Sequence, residues 1–169
     1  MIGGSALNLL GVIDRPTKDV DVVALIEHRS SGITIIKSRP LPALLSDAVA
    51  RVADQFGIDA HWLNDGPADL IDAGLPAGFE GRLVSLEYGN RLRVHLAGRL
   101  DQVCFKTYAA ADVAGRHLTD LLALAPSEQD MDFAFRWVMT QDPPQGFRIQ
   151  LESLADYMEV RHVLDRIER

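Results

Sequence analysis

The sequence predicts an α+β fold, with a small mixed β-sheet in the first part of the chain and a bundle of helices in the second. β-branched, partly alternating segments bounded by Gly, Asn, Asp and Pro lie between residues 19 and 97. After residue 99, apolar residues recur at helical spacing instead. A chain of 169 residues is long enough for one core. We therefore expect a core over 1–98 and a helical region over 99–169, packed on it as a single compact unit.

Local patterns define the elements of the first part. Apolar residues after Gly3-Gly4 predict a short helix over 5–10, and the β-branched run 19–26 predicts a strand that is central in the sheet. Pro42 at a first turn and Gly57 after the last apolar residue bound an amphipathic helix. The other predicted elements are strands over 33–36, 58–63, 82–88 and 91–97, the last two forming a hairpin, and a short helix near 69–73.

The second part is predicted to be helical throughout. Pro143-Pro144 and Gly146 separate the last two of its helices, because proline cannot continue a helix and glycine weakens one. The predicted helices cover residues 100–111, 117–125, 127–140 and 151–167.

Composition limits the classes of function. With 24 acidic against 17 basic residues, the formal charge of −7 argues against a protein that coats nucleic acid by charge alone. The single cysteine excludes an intramolecular disulfide, and Cys104, between Val103 and Phe105, is expected to be a buried apolar residue. No apolar run approaches the roughly 20 residues of a membrane span, and the first residues lack the pattern of a signal peptide. We therefore expect a cytoplasmic protein with no membrane partner.

Two carboxylates near the start of the chain have the spacing of a metal site. Asp19 and Asp21 flank Val20 in the predicted strand, so both side chains project from the same face. Carboxylate pairs of this kind bind hard divalent cations, which share their coordination shell with substrate phosphates. The pattern favours magnesium, or manganese in its place.

Residues around this pair are suited to bind phosphate. Gly3 and Gly4 allow the backbone to approach an anion closely, and Ser5 opens a helix whose free N–H groups favour a phosphate. Arg15 and Thr17 supply further donors, although Thr17 has the alternative role of capping the turn. A phosphate site beside a metal pair indicates a nucleoside triphosphate.

The segments Gly3-Gly4-Ser5-Ala6-Leu7 and Arg15-Pro16-Thr17-Lys18-Asp19-Val20-Asp21 resemble the motif of the DNA polymerase β-like nucleotidyltransferase superfamily. The closest likeness is to small bacterial nucleotidyltransferases related to abortive-infection toxins. Later stretches, His61-Trp62-Leu63-Asn64-Asp65 and Lys106 with Asp120, extend it to about residue 125. The resemblance implies a palm-like core in which Gly4 and Ser5 hold the triphosphate and Asp19 and Asp21 bind the metals. It also implies that Lys106 and Asp120 support catalysis from the helical half.

Some of these positions have alternatives. The superfamily usually has a third carboxylate on a later strand, and Asp59, Asp65 and Glu87 compete for that place, with Asp65 lying in the turn that resembles the family pattern. Lys106 has the alternative of a surface lysine whose stem lies along its helix. Asp120 has the alternative of an ordinary carboxylate in a first helical turn.

The leading hypothesis is a metal-dependent enzyme that transfers a nucleoside monophosphate to a hydroxyl of a tRNA 3′ end or of a protein. A relationship to toxins would imply a cognate antitoxin as partner. The arginines near the predicted hairpin could form a basic rim for an RNA end, although a solvated strand face is the commoner outcome. These arginines are Arg82, Arg91, Arg93 and Arg99.

Two other classes of function are open. The first is a degenerate nucleotide-binding or regulatory module, favoured by the unassigned third carboxylate and by a motif that starts at residue 3, as in a domain lacking its first element. The second, a dinucleotide-binding domain, is suggested by the early glycines alone and lacks the Gly-x-Gly-x-x-Gly pattern after a strand.

Overall fold

The computed structural model describes residues 1–29 and 32–167. The chain divides into two compact units, one comprising Met1–Leu75 with Ser85–Leu96 and the other Pro76–Val84 with Ala97–Arg169. The division after Leu96 lies close to the boundary that the sequence indicates at residue 98. Residues 76–84 group with the helices, which no sequence pattern predicted. Each unit is described by itself, and packing of the whole chain into a single unit stays a prediction.

The fold mixes helices and strands and has a C-terminal helical region, as the sequence predicts. Short elements make up the first unit, together with the hairpin that follows residue 83. The described elements are α1 (Gly3–Leu9), β1 (Val20–Asp21), β2 (Ala24–Arg29), β3 (Gly32–Lys37), α2 (Ala43–Phe56), β4 (Leu63–Asn64), a 3₁₀ turn (Gly66–Asp69), α3 (Leu70–Ala73), β5 (Val84–Tyr88) and β6 (Leu92–Leu96).

The strands form three separate pairs in the described residues, where the sequence predicted one mixed sheet. β1 lies parallel to β4, with Val20 opposite Leu63 and Asp21 opposite Asn64. β2 and β3 are antiparallel, and β5 pairs with β6 as the hairpin prediction required. The hairpin confirms the turn at Gly89-Asn90, where Gly89 has a φ of 63°.

The predicted strand over 19–26 is divided because its backbone groups bind different partners. Val22 donates its N–H to the Asn64 carbonyl at 2.8 Å, which continues the pairing of β1 with β4. The hydroxyl of the fully buried Ser38 then contacts the carbonyls of Val22 and Val23 at 3.0 and 3.1 Å. The ladder with β3 starts only at Ala24. The segment 19–26, which the sequence predicts as one strand, therefore contributes to two separate strand pairs, β1–β4 and β2–β3.

The predicted strand over 58–63 is mostly a turn. Asp59 accepts the His61 N–H on its carboxylate at 2.7 Å and the Trp62 N–H on its carbonyl at 3.1 Å. Aspartate favours such turns because its side chain bonds the backbone two residues on. Only Leu63 and Asn64 remain extended as β4.

The second unit is built around the helix that follows the hairpin. Its elements are a 3₁₀ turn (Phe79–Arg82), α4 (Arg99–Asp112), α5 (Ala114–Ala123), α6 (Glu128–Thr140), α7 (Gln145–Tyr157) and α8 (Arg161–Ile167). α4 packs against α5, α6 and α7. The ring of Phe105 on α4 packs edge-to-face against the ring of Trp137 on α6, with 5.4 Å between the ring centroids. Phe135, also on α6, is fully buried. Ser127 and Asp130 form a capping box at the start of α6, which satisfies two backbone donors there.

One long helix was predicted over 151–167, and the structure has two. α7 starts early, with Pro144 before its first residue and Gly146 inside its first turn, and ends at Tyr157. Glu159 then takes a left-handed conformation, with a φ of 60°, which interrupts the helix before α8. Arg161 binds carboxylates on both sides of this break, Glu152 at 3.0 Å and Asp165 at 2.8 Å.

Across the described residues, every helix is too short or too polar to cross a membrane.

Cys104 is fully buried in α4, as predicted, and burial raises the pKa of its thiol to about 12 from an ordinary 9.0. The raised pKa means that the folded state retains this proton more tightly than the unfolded state. The protonated thiol therefore makes its full contribution to the free energy of unfolding below pH 9, and this contribution is lost as the pH rises toward 12.

We expect denaturant titrations to show a smaller loss of stability between pH 9 and pH 12 for Cys104→Ala than for the wild type. Native protein should also resist thiol reagents at pH 8, and reaction at the rate of the unfolded chain would contradict this account.

Candidate functional site

The two halves of the N-terminal motif lie against each other in the first unit. The Ser5 hydroxyl donates to the Asp19 carbonyl at 2.5 Å and lies 2.6 Å from the Thr17 hydroxyl. Because Ser5 has a single hydroxyl proton, Thr17 is the donor in the second bond. Ile2 forms an antiparallel bridge with Asp21, donating its N–H to the Asp21 carbonyl at 3.1 Å. The start of α1 is thus fixed to β1 on both sides of the glycine pair.

The glycines are required by close approach. Gly3 has a φ of 78°, and a Cβ there would overlap the Asp21 carboxylate. A Cβ on Gly4 would lie 2.8 Å from the Thr17 methyl group and 3.7 Å from a guanidinium nitrogen of Arg15. The sequence assigned these residues to a turn before a helix at Ser5, but α1 already begins at Gly3. Gly3, Gly4, Arg15, Thr17 and Asp21 therefore form one packed group, named here the glycine–aspartate cluster.

Ser5 and Thr17 use their hydroxyls within the protein. Ser5 does not cap α1, since the helix has no side-chain cap. Its hydroxyl and that of Thr17 are bonded to each other and to the backbone of Asp19. Both residues thus hold the segment before β1 in place. The structure shows the Thr17 hydroxyl bonded to Ser5, and its alternative role of capping the turn stays a prediction.

Asn64 is a neighbour of the cluster that sequence reasoning missed. It lies opposite Asp21 in the β1–β4 pair and donates from its side-chain amide to the Asp21 carboxylate at 3.2 Å. Its amide oxygen accepts the Gly66 N–H at 2.9 Å, which fixes the orientation of the amide. The Asn-Asp-Gly-Pro turn was visible in the sequence, but its pairing with residue 21 depends on the register of two distant strands.

Each candidate for the third carboxylate has a local partner. The Asp59 carboxylate accepts from the His61 backbone, and Glu87 pairs with Arg93 at 2.5 Å across the hairpin. Asp65 lies 3.7 Å from the Arg39 guanidinium, which also donates to the Asp65 carbonyl at 2.9 Å. These contacts give all three candidates a structural role. None of them is distinguished as a metal ligand.

Asp19 and Asp21 differ in exposure. Asp19 is exposed immediately before β1, and Asp21 is half-buried at its end. Across residues 1–29 and 32–167, no group of three or more His, Cys, Asp or Glu side chains has the arrangement of a metal site. Magnesium is often held by only one or two carboxylates, with substrate phosphates and water completing its shell. Cation binding by Asp19, Asp21 and Asp65 therefore stays a prediction.

Lys106 and Asp120 belong to the second unit and bind each other. The lysine ammonium on α4 lies 2.7 Å from the Asp120 carboxylate on α5, and their side chains are 7% and 2% exposed. The alternative of a surface lysine is therefore wrong. Gly115 is not helical, and Asp120 lies beyond the first turn of the regular helix that follows it, so the alternative of a first-turn carboxylate is also wrong. A buried charge is costly unless paired, which explains why the two occur together.

No protein-family model, curated protein or solved structure matches this chain. The interpretation of the site therefore depends on the geometry and chemistry of these residues.

Gly4→Ala should destabilise the first unit by about 1–3 kcal/mol, because the added Cβ overpacks against the Thr17 methyl group. Thr17→Ser removes that methyl group and keeps the hydroxyl, so the double variant should recover most of the loss. Urea denaturation measures both. As a control, Gly146→Ala adds a Cβ in open space within α7 and should not destabilise. If Gly4→Ala lowers the free energy of unfolding equally with and without Thr17→Ser, the close packing of Gly4 against the Thr17 methyl group is contradicted.

Lys106→Met should cost about 3–5 kcal/mol, because it leaves Asp120 buried without its cation. Adding Asp120→Leu should recover part of this loss, since apolar replacement of a buried pair is often close to neutral. Lys37→Met is the matched control, because Lys37 binds the exposed Asp69 and Asp72. That change should cost much less, because an exposed ion pair is screened by solvent. If both lysine variants lose the same small amount in thermal or urea unfolding, Lys106 is not the buried partner described here.

Proposed function

We propose that this chain is a metal-dependent nucleotidyltransferase that transfers a nucleoside monophosphate from a triphosphate to an acceptor hydroxyl. The observation that carries the proposal is the glycine–aspartate cluster. Two residues that must be glycine lie directly against the segment that carries Asp19 and Asp21. A small backbone surface beside two carboxylates is suited to a phosphate chain that must also contact a cation.

The cluster supplies positive charge beside the glycines. A guanidinium nitrogen of Arg15 lies 3.7 Å from the position of a Gly4 Cβ, and Asn8 donates its side-chain amide to the Arg15 carbonyl at 2.6 Å. This arrangement supports a role for Arg15 in binding the triphosphate, since guanidinium groups bind phosphate oxygens well. Ser5 and Thr17 would act by positioning the backbone, because their hydroxyls bind each other.

Asp19 and Asp21 would hold the cation, magnesium or manganese, together with the triphosphate. A bound divalent cation supplies charge neutralisation on the phosphates and acidifies the acceptor hydroxyl. Asn64 would orient the Asp21 carboxylate through the 3.2 Å hydrogen bond, and this leaves the second Asp21 oxygen facing Gly3.

The reaction is a single displacement at the α-phosphorus. The acceptor oxygen forms a bond to that phosphorus while the bond to the bridging oxygen breaks. Pyrophosphate leaves with the electron pair of the broken bond, and the acceptor proton passes to solvent. Catalysis by positioning and electrostatics suits a site built from backbone, carboxylates and one guanidinium.

The family resemblance assigns two further roles that stay predictions. Lys106 and Asp120 would support catalysis, and a toxin-like member would have a cognate antitoxin. For Lys106, activity should be compared in the Lys106→Met/Asp120→Leu variant after its stability has been measured. Loss of transfer in a folded double variant would support a catalytic role, and full activity would leave the pair a purely structural one.

A second candidate is a nucleotide-binding regulatory module without turnover. It is favoured by the contacts that occupy carboxylates near the cluster, namely Arg39 on Asp65 and Asn64 on Asp21. Such a module would bind triphosphate at the same glycines and transfer nothing.

Incubation with each α-labelled triphosphate, magnesium and cell extract tests the two candidates. We expect label in a macromolecule, reduced about 100-fold or more in Asp19→Asn and in Asp21→Asn, because each change removes a charge that holds the cation. Asp14→Asn is the matched control, since Asp14 is exposed and outside the cluster, and should retain activity. Triphosphate binding without label in any product would support the regulatory module. Absence of both binding and label would contradict both candidates.

A further inference from the structure

Given the proposed transferase activity, on which this inference rests, we propose that the acceptor is a hydroxyl of a protein, from Ser, Thr or Tyr, and not an RNA end. RNA recognition depends on cations that can neutralise phosphates. In this protein three of the four arginines expected to form a basic rim are bound to carboxylates of the chain itself.

Three of the four rim arginines are neutralised within their own units. In the second unit, the Arg82 guanidinium forms a bidentate ion pair with the buried Asp101 carboxylate, with 2.6 Å between Nη2 and Oδ1. Arg99 pairs with Asp130 at 3.1 Å and donates to the Leu124 carbonyl at 2.7 Å.

The hairpin of the first unit repeats this arrangement. Arg93 on β6 binds Glu87 on β5, on the face where Ser85 and His95 lie 2.9 Å apart. Arg91 is exposed near the hairpin turn. The hairpin thus presents one paired and one exposed arginine, not a continuous basic surface.

Other cations are paired in the same way. Arg136 binds Asp132 at 2.8 Å, and Arg161 is surrounded by Glu152, Asp156 and Asp165. Lys37 and Arg39 share Asp69, at 2.7 and 2.8 Å.

Exposed ion pairs are weak, so an incoming phosphate could displace one of these carboxylates. The displaced carboxylate would remain on the same surface and repel the phosphate. Each paired arginine therefore contributes little net positive charge toward a polyanion. Over the whole chain the formal charge is −7, which adds a general repulsion of RNA.

A protein acceptor meets no such obstacle. A side-chain hydroxyl carries no phosphate of its own, and basic residues around it would be attracted by the acidic surface. In the transfer, the hydroxyl oxygen bonds to the α-phosphorus, the bond to pyrophosphate breaks, and the hydroxyl proton passes to solvent. The product is a nucleotide phosphodiester on the acceptor protein.

The deciding experiment separates one cell extract into nuclease-treated total protein and protein-free total RNA. Each fraction is incubated with the full chain, magnesium and each α-labelled triphosphate, beside Asp21→Asn. We expect label in the protein fraction, removed by protease and resistant to nuclease. Nuclease-sensitive label in the RNA fraction alone would overturn this inference and leave the proposed transferase standing. Label in neither fraction would overturn the transferase and the inference together.

Direct tRNA binding supplies a test that needs no activity. Fluorescence anisotropy with labelled total tRNA at physiological salt should give no dissociation constant tighter than about 100 µM, the weak end of non-specific binding. Glu87→Gln should strengthen binding several-fold because it removes the carboxylate that faces Arg93. Glu80→Gln makes the same change in net charge at another exposed residue and should have less effect. Tight, salt-sensitive binding by the wild type would overturn the inference, as would equal gains in the two variants.

Discussion

The first unit depends on the close approach of Gly3 and Gly4 to the segment that ends in Asp21. The Ser5 hydroxyl binds the Asp19 carbonyl, and Ile2 forms a β-bridge with Asp21, so these bonds hold the start of α1 and β1 together as one corner. β1 in turn pairs with β4, and this register places Asn64 opposite Asp21. A side chain on either glycine would push this corner apart. The geometry of the proposed site therefore depends on the lack of a side chain at Gly3 and at Gly4.

Features encoded by neighbouring residues could be predicted from the sequence. The hairpin at Gly89-Asn90 depends on local turn chemistry and formed as expected. The capping box of Ser127 and Asp130 at the start of α6 is equally local, although only the helix itself was predicted. The run 19–26 could not be read correctly, because the buried hydroxyl of Ser38 competes for its carbonyls. The turn at Asp59 was missed for a local reason, since its carboxylate offers the backbone an alternative to a strand.

For the acidic residues of the candidate site, too, the sequence predicts what depends on neighbouring residues and misses what depends on distant partners. Asp19 and Asp21 were found from their spacing, which is a local property. The role of Asp65 depends on Arg39, a partner 26 residues away that no spacing rule identifies. Lys106 and Asp120 were selected by resemblance, and their mutual contact at 2.7 Å supplies a structural reason for both. A buried ion pair is weak evidence for stability, so its presence alone does not distinguish a structural from a catalytic role.

Negative charge in this protein has two distinct environments. Carboxylates such as Asp101, Glu87 and Asp130 face arginines and form part of the structure. Asp19 is exposed beside the glycine corner, and the Ser5 hydroxyl binds its backbone carbonyl. A divalent cation held with Asp21 would offset charge only at that corner, and the rest of the surface would stay acidic. In the proposed mechanism, phosphate binding would be confined to the place where the cation and Arg15 act together, which suits one triphosphate better than a polyanionic chain.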